Sequence, residues 1–278
     1  MHHKYAKKID SAFYSYFTRA YKKLSKAELK ALAQYKGGDY MYINKFVNGD
    51  KFIDHYTISL VPKTSKMIIY DDFAQIFKLF YDIHIKLDKV IASLHLPKDM
   101  IVYRGEKHLG NMKKSKIGDT FKYNTYISTS LTPIIADKFM RNGGIIMSIR
   151  LKKGMNAAYL PWELTDGLGE NDGVYTHGKS ATQSQSSINK ENMENSEMEL
   201  LLPRGITLKL VEKKDIAGYM GKKDIMYVFE IVDINADEIP KFADLDRNNI
   251  MTNMVDIDQS FVANYILSSY LNKKVINQ

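Results

Sequence analysis

Asn195-Ser-Glu-Met-Glu-Leu-Leu-Leu-Pro-Arg-Gly205 is the stretch on which the reading of this chain turns. Leu200 to Leu202 form a short apolar run closed by Pro203 and Gly205, the pattern of a buried strand. Glu197 and Glu199 stand at its head, two positions apart. The strand's alternation puts both carboxylates on one face. Like charges on one face with apolar residues behind them repel and desolvate each other, so a strand carries them for a reason. The competing reading is an exposed strand start with solvated acids. Val102-Tyr-Arg-Gly105 and Tyr126-Ile-Ser-Thr-Ser130 weigh against it.

Around that stretch the chain reads as β. Residues 101–104, 120–129, 145–151 and 156–160 have the pattern of short strands, with a helix over 136–141 between the second and third. Ile206, Leu208 and Leu210 alternate with Thr207 and Lys209 in a half-buried strand. Residues 225–232 are its expected hairpin partner, across a polar loop at 213–224. Upstream the period is helical. Ile9, Phe13, Phe17, Ala20 and Leu24 mark an amphipathic helix over 8–24. Ser25 and Glu28 make a capping box for a second helix, which Gly37-Gly38 stops. Tyr40, Ile43, Asn44 and Val47 carry a third, with Asn48-Gly49 turning the chain after it. From Phe73 to Leu94 a further apolar stripe marks a long helix, capped by Asp71 or Asp72 and ended by Pro97. Helices first and mainly antiparallel strands afterwards define an α+β fold, with no βαβ rhythm and no dinucleotide-type Gly-x-Gly.

With 278 residues, 45% of them hydrophobic, the chain has the length for one large domain or two small ones. It has no cysteine, which excludes a disulfide framework and a thiolate zinc site. Its seven histidines are scattered without a ligand spacing, so no metal is expected. No long apolar segment is present and the first residues lack a signal-peptide apolar region; the expectation is a soluble intracellular protein without membrane insertion. The net charge of +8 is weighted to the amino terminus, where nine basic residues from Lys4 to Lys36 face only Asp10 and Glu28. Such a patch suits RNA-associated targets, ribosomes or acidic partners, and equally a solvated helical face. Residues 161–196 are rich in Gly, Asn, Ser and Gln, and a loop of that length is either functional or disordered. The expected organisation is a basic helix at 1–24, a main domain at 25–234, and an acidic linker with a helical pattern (Phe261, Tyr265, Leu267, Leu271) at 235–278. Within the main domain, 25–99 is the helical part and 100–234 the β part.

Tyr103-Arg104-Gly105, Ser128-Thr129-Ser130 and Glu197-Met198-Glu199, in that order, resemble the Arg/Ser-Thr-Ser/Glu-x-Glu class of mono-ADP-ribosyltransferases. That class includes the bacteriophage Alt and Mod enzymes and the enzymatic components of clostridial binary toxins. Tyr35, Tyr40 and Ile43-Asn44 match the family's helical tyrosine–tyrosine–isoleucine–asparagine segment. Leu87-Asp88 and Leu96-Pro-Lys-Asp-Met-Ile-Val-Tyr-Arg-Gly105 match the helix that leads into the arginine strand. The resemblance covers about residues 25–232. It implies amino-terminal helices packed on a two-sheet, mainly antiparallel β core split by an NAD cleft, with NAD as co-substrate.

Physical chemistry gives those residues work. Arg104 at a strand end offers a rigid fork of donors for a phosphate, or else a structural ion pair. Gly105, without a Cβ, lets backbone approach a flat ring, or simply ends the strand. Ser128 and Ser130 share one strand face; the resemblance has Ser128 orient the catalytic glutamate, and has Tyr103, Thr129 and Ser130 shape the nicotinamide pocket. Phe139 and Arg141 fall where the family puts an aromatic and a second phosphate-binding arginine, although the spacing allows Asn142 in place of Arg141. Tyr35, Tyr40 and Asn44 fall on the adenosine side, and by composition serve equally as core aromatics and a polar helix residue.

The implied reaction is dissociative: the ribose becomes oxocarbenium-like as nicotinamide leaves, with Glu199 on the 2′-hydroxyl. Glu197 would engage the acceptor. A guanidinium is cationic and a poor nucleophile, so a carboxylate must orient and deprotonate it; in the class, glutamate here goes with arginine acceptors. The expanded loop before Glu197 is the expected target-selecting turn, with Trp162 and Tyr175 as candidate acceptor contacts and a water-excluding lid as its other reading. Together these features predict an arginine-specific mono-ADP-ribosyltransferase acting on proteins in a host cytoplasm, as a phage or bacterial effector, a phage enzyme being one that the virion can carry. An NAD glycohydrolase and a non-catalytic RNA or ribosome binder stand as alternatives. The intact set of three motifs weighs against the binder.

Overall fold

In the computed structural model, residues 2–48, 70–106, 112–140, 144–161, 164, 198–217 and 223–239 are described. The chain forms two compact units, one from residues 1–41 and 85–237, the other from 42–84 and 238–278.

Helix α1 (His2–Tyr21) ends before Leu24, and its buried stripe is Phe13, Phe17 and Tyr21, spaced by four. The stripe lies against Tyr159, with ring centroids 6.3 Å (Phe13) and 6.1 Å (Phe17) away, and the Tyr21 hydroxyl donates to the Tyr159 carbonyl. Burial pushes the Tyr21 phenol far above its ordinary range. Helix α2 (Lys26–Gln34) starts on the capping box read from the sequence: Glu28 N donates to Ser25 Oγ at 3.3 Å, and Ser25 N to Glu28 Oε2 at 2.7 Å.

Gly37-Gly38 does not stop α2. The helix widens into a π turn, Tyr35–Asp39, and runs on into α3 (Tyr40–Asn48). A π turn takes up an extra residue without breaking the backbone ladder, and such turns concentrate at functional sites. Helix α4 (Tyr70–Ser93) begins one residue before Asp71, so Asp71 and Asp72 sit inside its first turn rather than capping it. In the second unit, Phe46 packs on Phe80 and His84 with centroids 6.1 and 5.7 Å apart.

Among its described residues the first unit holds an eight-stranded sheet: β1 (Met100–Glu106), β2 (Thr120–Tyr123), β3 (Ile127–Ser130), β4 (Ile145–Leu151), β5 (Ala158–Leu160), β6 (Glu199–Leu202), β7 (Ile206–Ala217) and β8 (Lys223–Ile234), in the order β2-β7-β8-β4-β1-β3-β6-β5. Hydrogen bonding is continuous across it, where the sequence reading separates two sheets. All pairings are antiparallel except β4 with β8, which gives the expected α+β class. Between β3 and β4 lies helix α5 (Pro133–Met140).

Two strand expectations change. The strand read over 120–129 is two, because the chain turns at Asn124-Thr125: β2 pairs with β7, whereas β3 pairs with β6 and β1. The polar loop read at 213–224 is largely strand, with Lys213 opposite Tyr227 and Ala217 opposite Lys223. Lys213, Lys214 and Asp215 pair by backbone and are exposed, so they leave no apolar alternation to read; Lys213 also donates to the Ser115 carbonyl at 2.7 Å and lies over the face of Tyr227. No helix among the described residues is long and apolar enough to cross a membrane.

Candidate active site

Strand β6 is flanked by β3 and β5, and Leu200, Leu201 and Leu202 are fully enclosed. Glu199 opens the strand, and it too is buried, with 6% of its surface exposed. A carboxylate so enclosed has to be paired. It is paired twice: Ser128 Oγ donates to Oε1 at 2.5 Å, and Lys36 Nζ lies 2.7 Å from Oε2.

The register explains the serine contact. Ser130 lies opposite Glu199 and Ser128 opposite Leu201, so Ser128, Ser130 and Glu199 share a face. Thr129 points the other way and donates to the Leu200 carbonyl at 2.6 Å, tying β3 to β6 behind the site. The Ser130 hydroxyl accepts from Thr132 N at 3.2 Å and shapes the entry to α5. Tyr103 is opposite Ser130 on β1, which extends the row, and burial pushes its phenol up.

Strand alternation does not run back past Glu199. Strand β6 starts at Glu199, and Met198 before it has φ of 44°, a left-handed backbone that a residue with a Cβ avoids at a cost of about 1–2 kcal/mol. Its carbonyl accepts from Leu131 N at 3.0 Å and its side chain is buried, so surrounding structure holds the twist. Glu197 lies outside the described residues, as do Arg141, Asn142, Trp162, Tyr175, all of the 161–196 loop except Pro161 and Leu164, and the tail pattern at 261–271.

Arg104 alternates with Tyr103 and carries its guanidinium to two acceptors. Its Nη1 donates to the Ser128 carbonyl at 2.9 Å, and Nε to Glu106 Oε2 at 3.1 Å. Ser128 thereby joins the two charged residues: its carbonyl takes Arg104 and its hydroxyl holds Glu199. Tyr123 stands beside this pair, and its phenol is pushed up to about 12 by burial and then by the Glu106 charge. Gly105 has a packing reason that the sequence does not show: a Cβ there runs into the Ala136 carbonyl and the Met140 backbone, so α5 sits directly on β1.

The helical candidates divide. Tyr35 is in the core, 1% exposed, with its ring edge-on to Tyr126 at 5.8 Å, and offers no ring face to a ligand. Tyr40 is exposed at 45%, its centroid 6.3 Å from Tyr35. Asn44 is in α3, within the second unit. Phe139 is an exposed aromatic on α5.

Lys36 is the site residue that sequence reasoning missed. It was one of nine basic residues in the amino-terminal patch, and its only local signal is its place between Tyr35 and Gly37-Gly38. Among the described residues no group of His, Asp and Glu is placed to hold a metal ion. The donor set consists of a guanidinium and an ammonium on either side of a serine that holds a buried carboxylate. It suits a ligand with an anionic diphosphate and a hydroxyl-bearing group that develops positive charge.

The family model for ADP-ribosyltransferase exoenzyme matches residues 14–232. No curated protein sequence matches the chain. Among solved structures, Plx2a, an ADP-ribosyltransferase toxin from Paenibacillus larvae, is similar at 18% identity and a TM-score of 0.51, over 84% of this chain and 98% of that one. The enzymatic component C2-I of the C2 toxin from Clostridium botulinum is similar at 15% identity and a TM-score of 0.53, over 83% of this chain and 48% of that one. BECa, an ADP-ribosylating toxin of a binary enterotoxin of C. perfringens solved with NADH, is similar at 16% identity and a TM-score of 0.50, over 82% and 48%. The chain thus spans about half the length of those two components. At these identities the likeness is one of fold.

Proposed function

The chain belongs to the ADP-ribosyltransferase exoenzyme family, and from that premise we propose that it transfers ADP-ribose from NAD to arginine side chains of proteins in a host cell, releasing nicotinamide. The observation that carries this reading is the Glu199 carboxylate, buried and held by Ser128 at 2.5 Å and by Lys36 at 2.7 Å. A carboxylate fixed in that way needs no reorganisation when positive charge develops next to it.

Each residue then has a task. Arg104, anchored by the Ser128 carbonyl and Glu106, presents its guanidinium to the diphosphate. Ser128 sets the orientation of Glu199. Glu199 accepts the ribose 2′-hydroxyl and stabilises the charge that grows on the ring as the bond to nicotinamide breaks. Tyr103, Ser130 and the exposed ring of Phe139 border the nicotinamide side, and Tyr40 the adenosine side; Thr129 braces β3 on β6 from behind. NAD itself supplies a cationic leaving group. Glu197 deprotonates and orients the acceptor guanidinium, and that residue type supports arginine as the acceptor.

Incubation with labelled NAD and a cell lysate, followed by mapping of the modified residue, tests the proposal. Label on arginine supports it, and label on another residue type overturns the arginine assignment. Release of nicotinamide with no labelled protein makes the chain an NAD glycohydrolase. The Glu197→Gln variant separates the two steps: arginine modification should collapse while slow nicotinamide release persists. Equal loss of both removes Glu197 as a dedicated acceptor residue.

A further inference from the structure

Lys36 stands in an odd place for a lysine. Its ammonium is 2.7 Å from Glu199 Oε2, and the two side chains are 11% and 8% exposed. An ammonium that close cancels most of the carboxylate's field, and that field is what stabilises a developing cation. If the pair were permanent, Glu199 would face the ribose as half of a neutral couple. Lysine is the cation suited to leave such a pair, being a point charge on a flexible stem. Its backbone is suited as well: Lys36 lies in the π turn Tyr35–Asp39, followed directly by Gly37-Gly38. A second cation, Arg104, already sits on the far side of Ser128.

We propose that Lys36 is an exchangeable counter-ion, pairing with Glu199 in the free protein and with the diphosphate of NAD in the complex. Dinucleotide binding then unmasks the carboxylate it needs. The inference rests on the NAD-cleaving function proposed above and deepens it. It makes the diphosphate a condition for cleavage: a ligand with the same scissile bond and no diphosphate leaves Lys36 on Glu199. Nicotinamide riboside is such a ligand. In its hydrolysis, as in that of NAD, the C1′–N bond breaks with its electron pair going to the pyridine nitrogen. Water oxygen bonds to C1′ and loses its proton.

Lys36→Gln, which removes the charge and keeps the length, and Lys36→Arg, which keeps the charge, provide the test. Calorimetry with ADP-ribose, which carries the diphosphate and no scissile bond, should show affinity reduced about tenfold in Lys36→Gln and nearly retained in Lys36→Arg. Nicotinamide release should move in opposite directions for the two substrates. Relative to wild type, Lys36→Gln should cleave nicotinamide riboside faster and NAD with a lower kcat/KM. A structural lysine cannot produce that crossing. Losses of the same factor on both substrates, or unchanged affinity for ADP-ribose, overturn the exchange. So does a structure of the wild-type protein with ADP-ribose in which Lys36 remains on Glu199, a result independent of how the variants fold. Wild-type protein that releases nicotinamide from NAD but fails these tests loses only the exchange. Wild-type protein that releases none overturns the function as well.

Discussion

Arg204 Nε lies 2.9 Å from Asp88 Oδ2, a pairing that fastens the turn after β6 to helix α4. The other Asp88 oxygen accepts from the Tyr126 hydroxyl at 2.7 Å, and Arg204 Nη1 reaches the Asp237 carbonyl at 2.5 Å. Gly205 completes the turn with φ of 77°, where a Cβ would strike the backbone of Ala236. Strand β6 is thus positioned from its far end by one carboxylate. Burial, followed by the Asp88 charge, pushes the Tyr126 phenol well up.

Asp88→Ala is therefore expected to cost about 2 kcal/mol, since it removes one acceptor from a largely buried guanidinium and one from a buried phenol while Asp88 itself is partly solvated. Tyr126→Phe should cost about 1 kcal/mol, the worth of one hydrogen bond. Urea unfolding measures both. Equal, near-zero effects would mean that the Leu200–Leu202 packing alone places the strand.

Glu199→Gln keeps the size of the side chain and an oxygen for Ser128, and removes the charge. Nicotinamide release should fall by about 10²–10³-fold, the usual loss when a preorganised electrostatic group is removed. Because Glu199 is buried and paired, the change also removes the charge that Lys36 pairs with, at a cost of about 3 kcal/mol. Near wild-type turnover would take Glu199 out of the chemistry.

What the sequence disclosed here was local. Ser25 and Glu28 announce the cap, and Leu200 to Leu202 announce the strand, because their signals sit within a few neighbouring residues. The π turn at Tyr35–Asp39 was hidden because Gly37-Gly38 carries the same signature as a helix stop, and only tertiary packing continues the ladder. Lys36 was hidden for a different reason. Apart from its place beside Gly37-Gly38, nothing local distinguishes it from Lys30 or Lys26, and its partner is 163 positions away along the chain. Gly105 reads from the sequence as a site of ligand approach or a strand-ending turn, and its packing under α5 carries no local signal.

Arg104→Lys preserves a charge and loses the fork. The guanidinium spans the Ser128 carbonyl and Glu106 at once, 2.9 and 3.1 Å away, and a single ammonium cannot keep both while facing a phosphate. Affinity for ADP-ribose should weaken about tenfold with little change in melting temperature, one charge-assisted hydrogen bond being worth that much. Unchanged affinity by calorimetry would assign Arg104 to holding Ser128 and Glu106 alone.

Asp39, three residues after Lys36 on the same π turn, is 2% exposed, and its Oδ2 has no hydrogen-bond partner among the described residues. Desolvation pushes its carboxyl from the usual 3.8 up to about 6. The folded protein therefore binds this proton more tightly than the unfolded chain does. Below about pH 4 both states are protonated and the carboxyl costs nothing; as pH rises through about 6 the folded state must ionise a buried acid, and stability is lost. The full penalty, on the order of 2–3 kcal/mol, is present at neutral pH. Asp39→Asn cannot ionise, so relative to wild type it should gain that amount between pH 4 and pH 7.5, whatever its offset at pH 4. Urea unfolding across this range gives the difference directly, since the remaining carboxylates are common to both proteins and cancel. Parallel stability profiles would show that water or a partner group relieves the Asp39 carboxylate, and that the π turn carries no titrating load.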